Sequence, residues 1–260
     1  MRKFLATLSL LTLIPLSSAA WSYLGHATVV KLAEKHLTEK TRKNLAAYFN
    51  YDLADDAVWM DKHRHDEDIA VTDKWHVFHA FESGLYDPNP RMVTGDCVRA
   101  LHFVDANLRN YKELSDSAVV MNVRMLIHFV GDLHCPSHAY FQGKRNFWAC
   151  RLEPYWSEGT FHGFYDHSPE FVYKDKTPED VAEILDYNLG RTELSAASKG
   201  SFEEWASERA AADKFIYELN APGTYALDQQ TLWKSVPLIN DSMTKAGCRL
   251  AFLLNKYFGK

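Results

Sequence analysis

The stretch Leu126–His138 constrains this chain more than any other part of it. It contains three potential metal ligands, His128, Asp132 and His138, between an apolar run and a proline. His128 and Asp132 are four residues apart, so on a helix they project from one face about one turn apart, within reach of a shared cation. Pro136 cannot continue an α-helix without losing a backbone hydrogen bond. We therefore expect His138 just past a helix break, turned back toward the same centre.

Length and periodicity favour a mostly α class with a single domain. The chain has 260 residues, 47% of them hydrophobic and 13% aromatic, which is enough for one sizeable core. Apolar residues recur at helical spacing through most of the chain, strand signals are few, and there is no internal repeat. Residues 61–68 are predicted as a charged loop and 140–159 as irregular chain with a hairpin. Helices are predicted within 21–49 and over 96–111, 117–132, 162–166, 178–189, 201–217 and 232–258.

The N-terminus is typical of a secretory signal peptide. Basic residues at positions 2 and 3 precede an apolar run over 4–16 and then small residues over 17–20. The run is too short and too interrupted to span a bilayer as a stable anchor. Cleavage after Ala20 would make Trp21 the first residue of a mature domain over 21–260, and an uncleaved anchor is the alternative. The expected location is secreted or periplasmic, with no membrane anchor.

Cysteine usage predicts disulfides in an exported chain. Cys97, Cys135, Cys150 and Cys248 could form two bonds in three possible pairings, of which we favour Cys97 with Cys248. No Cys-x-x-Cys pair is present, so a zinc site made of cysteines alone is not expected.

The charge balance argues against a protein that binds nucleic acid through a broad basic surface. The formal charge is -5, and removal of the leader takes away two basic residues and no acid. A basic stripe across the fold is therefore excluded. Any attraction for phosphate must come from bound metal or from a few arginines.

Further candidate ligands lie outside the central stretch. His162 and Asp166 repeat the spacing of His128 and Asp132, and two such pairs are harder to explain as surface ion pairs than one. Histidines and aspartates without cysteine suit a hydrolytic zinc site, since zinc binds imidazole nitrogen and carboxylate oxygen and catalytic sites leave a position for water.

Three more candidates follow tryptophans. Asp61 comes two residues after Trp59, and His76 directly follows Trp75. His26 lies about one and a half helical turns beyond Trp21. An α-amino group freed at that tryptophan and the imidazole could meet on one metal.

Six motifs in chain order resemble the trinuclear-zinc, single-strand-specific nuclease family of the S1/P1 type. Its fungal and plant members are single-strand-specific nucleases and 3′-nucleotidases, and zinc phospholipase C is a distant relative. The resemblance covers essentially the whole mature chain and implies a multi-helix bundle with irregular loops around a zinc cleft. The motifs are Trp21 with Gly25-His26, Trp59-x-Asp61, Trp75-His76, His128-Phe-Val-Gly-Asp132, Pro136-x-His138 and His162-x-x-x-Asp166.

The resemblance implies three Zn²⁺ ions at sites that share one aspartate. The expected ligands are Asp61, His76, His128 and Asp132 for one ion, His138, His162 and Asp166 for a second, and the Trp21 amino and carbonyl groups, His26 and Asp132 for a third. Asp132 would then bridge two ions, with a water or hydroxide between them. Three ions outweigh the charge of three aspartates, so the cleft would attract a phosphate ester although the protein is acidic.

The same resemblance assigns substrate contacts, with departures. Arg64 matches a family arginine near the scissile phosphate. Val77 and His79 stand where the nucleases commonly have an aromatic residue and an aspartate that serve the nucleobase pocket. We therefore expect weaker base stacking and an imidazole in place of the carboxylate partner of Arg64. Phe78 is expected in the core.

The implied activity is hydrolysis of single-stranded DNA and RNA to 5′-phosphorylated products, with Asp132 and Arg64 as catalytic residues. Two alternatives stay open. Because of Val77 and His79, the substrate could instead be a phospholipid headgroup or a small phosphate ester. A non-catalytic, zinc-stabilised secreted binding module is the third reading. No stable protein partner is implied.

Overall fold

Eleven α-helices and five short strands make up the part of the chain that this computed structural model describes, residues 21–89, 95–144, 149–152, 156–187, 189–219, 226–227 and 229–260. This composition confirms the predicted mostly α class. The helices are α1 (Tyr23–Lys35), α2 (Glu39–Leu45), α3 (Trp59–His63), α4 (Cys97–Leu108), α5 (Asp116–His134), α6 (Phe161–Asp166), α7 (Ser168–Val172), α8 (Pro178–Asp186), α9 (Arg191–Ala197), α10 (Phe202–Leu219) and α11 (Gln229–Phe258). The strands are β1 (Phe78–Ala80), β2 (Ala139–Phe141), β3 (Ala149–Leu152), β4 (Trp156–Thr160) and β5 (Ala226–Leu227).

Helix α5 is the central buried helix. The Ser115 side chain caps it by accepting a hydrogen bond from the Ala118 amide, and every residue from Met125 to His134 is buried. Its neighbours include α1, α3, α4, α10 and α11. The apolar run predicted over 117–132 therefore forms one continuous helix, and it presents His128 and Asp132 on one face inside the protein.

Helices α1 and α11 pack closely beside α5. At Gly247 of α11, a Cβ atom would lie 2.7 Å from the Leu32 side chain of α1, so this approach needs a glycine. A similar constraint holds at Gly131 of α5, where a Cβ atom would lie 2.3 Å from Nδ1 of His26. The glycine inside the His-x-x-x-Asp motif therefore makes room for a histidine from α1.

The chain after α5 turns back on itself as expected. Ser137 adopts a left-handed conformation with φ of 77°, and β2 then pairs in parallel with β1, with His79 opposite Tyr140. The Phe78 amide donates to the His138 carbonyl at 3.1 Å. This pairing brings the segment around His76 against the segment around His138.

Other predicted segments are confirmed or corrected. Strands β3 and β4 are antiparallel, as the predicted hairpin requires. The prediction of a loop over 61–68 is wrong at its start, because Asp61 lies in the short helix α3. None of the helices in the described ranges is long and apolar enough to cross a membrane. The predicted signal peptide, residues 1–20, lies outside the described residues.

The expected Cys97–Cys248 disulfide is wrong. Cys97, Cys135 and Cys248 are separate, buried thiols. Cys97 begins α4 and its thiol donates to the Phe129 carbonyl of α5 at 3.1 Å, whereas Cys248 belongs to α11. The side chain of Cys150 lies outside the described residues.

Candidate metal centre

The ligands predicted for the first ion converge and define site A (Asp61, His76, His128 and Asp132). From His128 Nε2, the nearest oxygens of Asp132 and Asp61 lie at 3.2 and 3.5 Å. From His76 Nδ1, they lie at 2.9 and 3.6 Å, and the two histidine nitrogens are 3.0 Å apart. Two nitrogen or oxygen ligands of a tetrahedral zinc ion lie about 3.3 Å apart, given bonds of about 2.0 Å. These spacings therefore fit one ion.

Backbone carbonyls orient two of the histidines. The Nδ1–H group of His128 donates to the Ala57 carbonyl at 3.0 Å, and that of His138 donates to the His76 carbonyl at 2.7 Å. Each bond fixes the ring and leaves Nε2 turned toward the carboxylates. A metal-ligating histidine is commonly held in this way.

Site B (His138, His162 and Asp166) also converges. Oxygens of Asp166 lie 3.2 Å from His138 Nε2 and 3.5 Å from His162 Nε2. The two imidazole rings are stacked with centroids 4.7 Å apart. His162 and Asp166 come from the short helix α6, which the Thr160 side chain caps through the Gly163 amide. Helix α6 and the turn after α5 thus supply this site jointly.

Site C (Trp21, His26 and Asp132) adjoins site A through their common aspartate. His26 Nε2 lies 3.4 Å from Oδ1 of Asp132, and its ring stacks on His128 with centroids 4.4 Å apart. Trp21 is fully buried, and the amide of the next residue, Ser22, donates to the Asp166 carbonyl at 3.0 Å. The start of the described chain is therefore held beside Asp166 of site B and His26 of site C.

Several polar atoms in these sites are buried and have no hydrogen-bond partner within the described part of the chain. They are both ring nitrogens of His26, both carboxylate oxygens of Asp61, Nε2 of His76, Oδ1 of Asp132 and Oδ2 of Asp166. Buried polar atoms are seldom left unsatisfied, so this concentration at one place calls for a ligand. Lone pairs on imidazoles and carboxylates that face one another are the donor set for a zinc ion.

The electrostatics of the ligand side chains indicate where cations belong. Burial raises the pKa of Asp166 to about 8, and the nearby Asp132 and Asp61 add to that rise against the opposing effect of His162. Burial also lowers the pKa of His162 to about 4. Burial alone would lower the pKa of His128, yet Asp132 and Asp61 hold it well above its usual value. Asp166 and His128 thus hold protons at positions that a metal ion could take.

Arg64 has a partner that the sequence did not reveal. It follows α3, one turn beyond Asp61, and its Nε and Nη2 groups donate to one oxygen of Asp73 at 3.0 and 2.6 Å. The expectation that this arginine lacks a carboxylate partner is therefore wrong. Lys74 and Arg64 lower the pKa of Asp73 to about 2, although burial opposes them. Only the three-dimensional structure shows this contact, because nothing in the spacing of Arg64 and Asp73 marks it.

The predicted base-pocket positions lie next to the metal sites. Val77 and Phe78 are buried, the latter in the core as expected. The half-buried His79 ring contacts Tyr140, whose ring also contacts His162 of site B. Tyr140 is thus an aromatic neighbour of the metal centre that sequence reasoning missed. Its place opposite His79 depends on the β1–β2 pairing, which the sequence did not predict.

Two residues of the central stretch behave unlike their sequence neighbours. His134 faces away from the sites, since its Nδ1–H group donates to the Val130 carbonyl at 2.7 Å and Arg249 contacts its Nε2 at 2.7 Å. Cys135 was a disulfide candidate on sequence grounds. Its thiol donates to Oδ1 of Asp166, with the Sγ atom 3.6 Å from that oxygen. Burial and the neighbouring carboxylates raise the pKa of this thiol well above its usual value.

The chain is similar to known proteins over almost its whole length. The S1/P1 Nuclease family model matches residues 21–259. Endonuclease 4 of Arabidopsis thaliana is 26% identical, over 99% of this chain and 96% of that protein. Endonuclease 3 of the same plant is 24% identical over 99% and 96%, and Endonuclease 2 is 22% identical over 92% and 91%. The family match begins at Trp21 and includes every residue of sites A, B and C.

Proposed function

Since the chain belongs to the S1/P1 nuclease family, we propose that it is a zinc-dependent endonuclease that cleaves single-stranded DNA and RNA and releases 5′-phosphorylated products. Membership makes it a hydrolase of phosphodiester bonds, in a family that depends on zinc. The observation that carries the proposal is the convergence of His26, His76, His128 and His138 on three aspartates in a buried cluster. Histidines and aspartates of a solvated surface would be hydrated by water and would not need to lie so close together.

The proposed cofactor is three zinc ions, one at each of sites A, B and C. Asp132 belongs to two of the sites, with Oδ2 toward His128 and His76 and Oδ1 toward His26. When bound, the ions would lower the pKa of water and stabilise the negative charge that develops on phosphate oxygens. The fit between donor types and spacing supports this assignment.

In this proposal the chain's own residues position the reactants. Asp132 holds two sites in a fixed relation, and the carbonyls of Ala57 and His76 keep two imidazoles aimed inward. Arg64 donates to the phosphate and neutralises charge in the transition state. Its bond to Asp73 restrains the guanidinium. Arg64 would therefore lose little conformational entropy when the substrate binds.

Site C requires a free amino group at Trp21, so we also propose that residues 1–20 are a signal peptide removed after Ala20. The start of the family match at this residue supports the boundary. The burial of Trp21 and its ring contact with His26 support it as well. The mature domain would then be residues 21–260, secreted or periplasmic. N-terminal sequencing of protein from the native host tests this cleavage directly.

A small phosphate ester is the second candidate substrate. Val77 replaces the aromatic residue that commonly serves the nucleobase pocket in the family, and its side chain is buried. Without that ring, substrate binding depends on contacts to the phosphate more than on contacts to the base. Tyr140 and His79, both half-buried, are the described aromatic groups placed to contact such a substrate.

The deciding experiment compares hydrolysis rates of purified mature protein on single-stranded DNA, RNA, duplex DNA, a 3′-nucleotide and phosphatidylcholine. We expect the single-stranded nucleic acids to be cleaved fastest, and a chelator to abolish the activity until zinc is restored. A preference for phosphatidylcholine or for the mononucleotide would replace the nuclease assignment with the corresponding alternative. Hydrolysis of none of the five by zinc-loaded protein would favour the non-catalytic binding module.

A further inference from the structure

Cys135 is a buried thiol directly beside site B. It is the first residue past α5 and is fully buried. Its Sγ atom, a ring nitrogen of His138 and a carboxylate oxygen of Asp166 all lie within 4.8 Å of one another. The family resemblance assigns no role to a cysteine here. The position therefore raises the question of whether the sulfur belongs to the metal site.

The distances fit sulfur in the coordination sphere. Zinc bonds sulfur at about 2.3 Å and carboxylate oxygen at about 2.0 Å, so the two atoms would lie about 3.5 Å apart around a tetrahedral ion. The observed distance from Cys135 Sγ to Asp166 Oδ1 is 3.6 Å. The distance from that oxygen to His138 Nε2 is 3.2 Å, against about 3.3 Å expected for a nitrogen and oxygen pair. Both distances fit donors around one ion, and the sulfur and the imidazole nitrogen lie within 4.8 Å of one another.

The local backbone holds these donors in place. The Cys135 amide donates to the Asp132 carbonyl at 3.1 Å, and the His138 amide donates to the Cys135 carbonyl at 3.2 Å. Ser137, between them, has the left-handed φ of 77°. A non-glycine residue in this conformation costs free energy and persists where the surroundings fix it. The turn brings the sulfur and the imidazole together at Asp166.

A second observation points to a ligand at the same place. Oδ2 of Asp166 is buried and has no hydrogen-bond partner among the described residues. This carboxylate is 1% exposed, so water does not solvate it. Neither Cys97 nor Cys248 joins a group of potential metal ligands in the described part of the chain. The arrangement is therefore particular to Cys135.

We propose that Cys135 is a thiolate ligand of the ion at site B, together with His138, Asp166 and His162. This inference rests on the zinc centre proposed above. When the metal binds, the S–H bond breaks, its proton passes to solvent, and the sulfur keeps the electron pair that it shares with the metal. Site B would then carry a soft sulfur ligand, while sites A and C use nitrogen and oxygen alone. Thiolate ligation favours zinc over hard cations such as magnesium.

Cobalt substitution tests the proposal independently of catalysis. The mature protein is stripped with chelator, reloaded with Co²⁺, and examined for the near-ultraviolet charge-transfer band that a cobalt–thiolate bond produces. We expect the band in the wild type and in Cys97→Ser, the matched buried control, and its loss in Cys135→Ser. Circular dichroism checks that both variants are folded. A wild-type protein without the band, or a Cys135→Ser variant that retains it, would overturn the proposal.

X-ray absorption at the zinc edge of the wild type supplies a measurement that needs no variant. A sulfur shell at about 2.3 Å is expected beside the shell of lighter atoms at about 2.0 to 2.2 Å. A spectrum with light atoms only, from protein that still cleaves single-stranded DNA, would refute the thiolate ligand and leave the nuclease function standing. Protein that binds no zinc and cleaves no substrate would refute both.

Discussion

Sites A and B each contain a histidine and an aspartate four residues apart, yet the two pairs stand in different surroundings. In site A the pair belongs to α5, a helix of 19 residues buried on all sides at this point. In site B it belongs to α6, a helix of 6 residues, and the third ligand comes from a strained turn. The same His-x-x-x-Asp spacing thus gives both pairs the same local geometry. The neighbouring elements determine which further ligand atoms complete each site.

The difference also appears in what fixes the ligands. At site A, four side chains from three separate segments surround one position, and the Ala57 carbonyl orients His128. At site B, the turn after α5 places the Cys135 sulfur within reach of the same carboxylate as His138. We infer that site A is the rigid nitrogen and oxygen site of the centre, and site B the one adapted to include sulfur. Four predictions test this comparison.

The largest effect is expected for Asp132→Asn, because this carboxylate serves both site A and site C. Loss of an outer-shell partner of a metal ligand typically costs about 10- to 100-fold in affinity or activity, so loss of a shared ligand should exceed about 100-fold. The rate on single-stranded DNA and the zinc content are the measurements. Asp105→Asn is the control, since that buried carboxylate bonds Tyr257 and Lys256 instead. Near-wild-type activity with full zinc in Asp132→Asn would contradict the assignment.

The second prediction compares one histidine from each site. His128→Gln removes a central ligand of site A, whereas His162→Gln leaves site B with Cys135, His138 and Asp166. We expect zinc to be lost to a competing chelator more readily from the former, by roughly tenfold in affinity. Titration with a chromogenic chelator measures the difference. If the two variants lost zinc equally, or His162→Gln lost it more readily, the proposed compensation by sulfur would be wrong.

A smaller effect is expected for Arg64→Ala, which leaves the metal ligands intact. Loss of this donor to the phosphate should lower kcat by about 10- to 100-fold and leave the zinc content unchanged. Arg109→Ala, at an exposed arginine bonded to Asp105, is the matched control and should have normal kinetics. In Arg64→Ala, the pKa of Asp73 should rise from about 2, and nuclear magnetic resonance can follow this titration. An unchanged kcat would remove Arg64 from the mechanism.

The last prediction concerns the stability of the metal-free protein. Burial raises the pKa of Asp166 to about 8 in the folded state, above about 3.9 in an unfolded chain. Between these two pKa values the folded protein binds a proton that the unfolded chain does not. The free energy of unfolding therefore falls as the pH rises toward 8. Asp166→Asn cannot ionise, so its melting temperature relative to that of the wild type should increase between pH 5 and pH 8, both proteins being free of metal. Parallel pH profiles would contradict this shift.

The sequence predicted the helical half of the metal centre because helix periodicity fixes which side chains share a face. His128 with Asp132, and His162 with Asp166, follow from that rule alone. The grouping of Asp61, His76 and His26 around Asp132 depends on how α1, α3 and the segment before β1 pack on α5. Only the resemblance anticipated it. The Arg64–Asp73 bond and the approach of Cys135 to Asp166 arise from the ends of short elements. Where a short element ends, a change of one residue in its boundary changes the contacts that follow. The spacing of residues in the sequence therefore could not predict these two contacts.

Anomalous diffraction at the zinc edge, from crystals of the mature protein, would locate the bound ions. We expect three zinc peaks, with Asp132 contacting two of them and Cys135 contacting the ion at site B. A zinc-loaded crystal with no peak within bonding distance of Asp132 would show that this carboxylate is not a shared metal ligand.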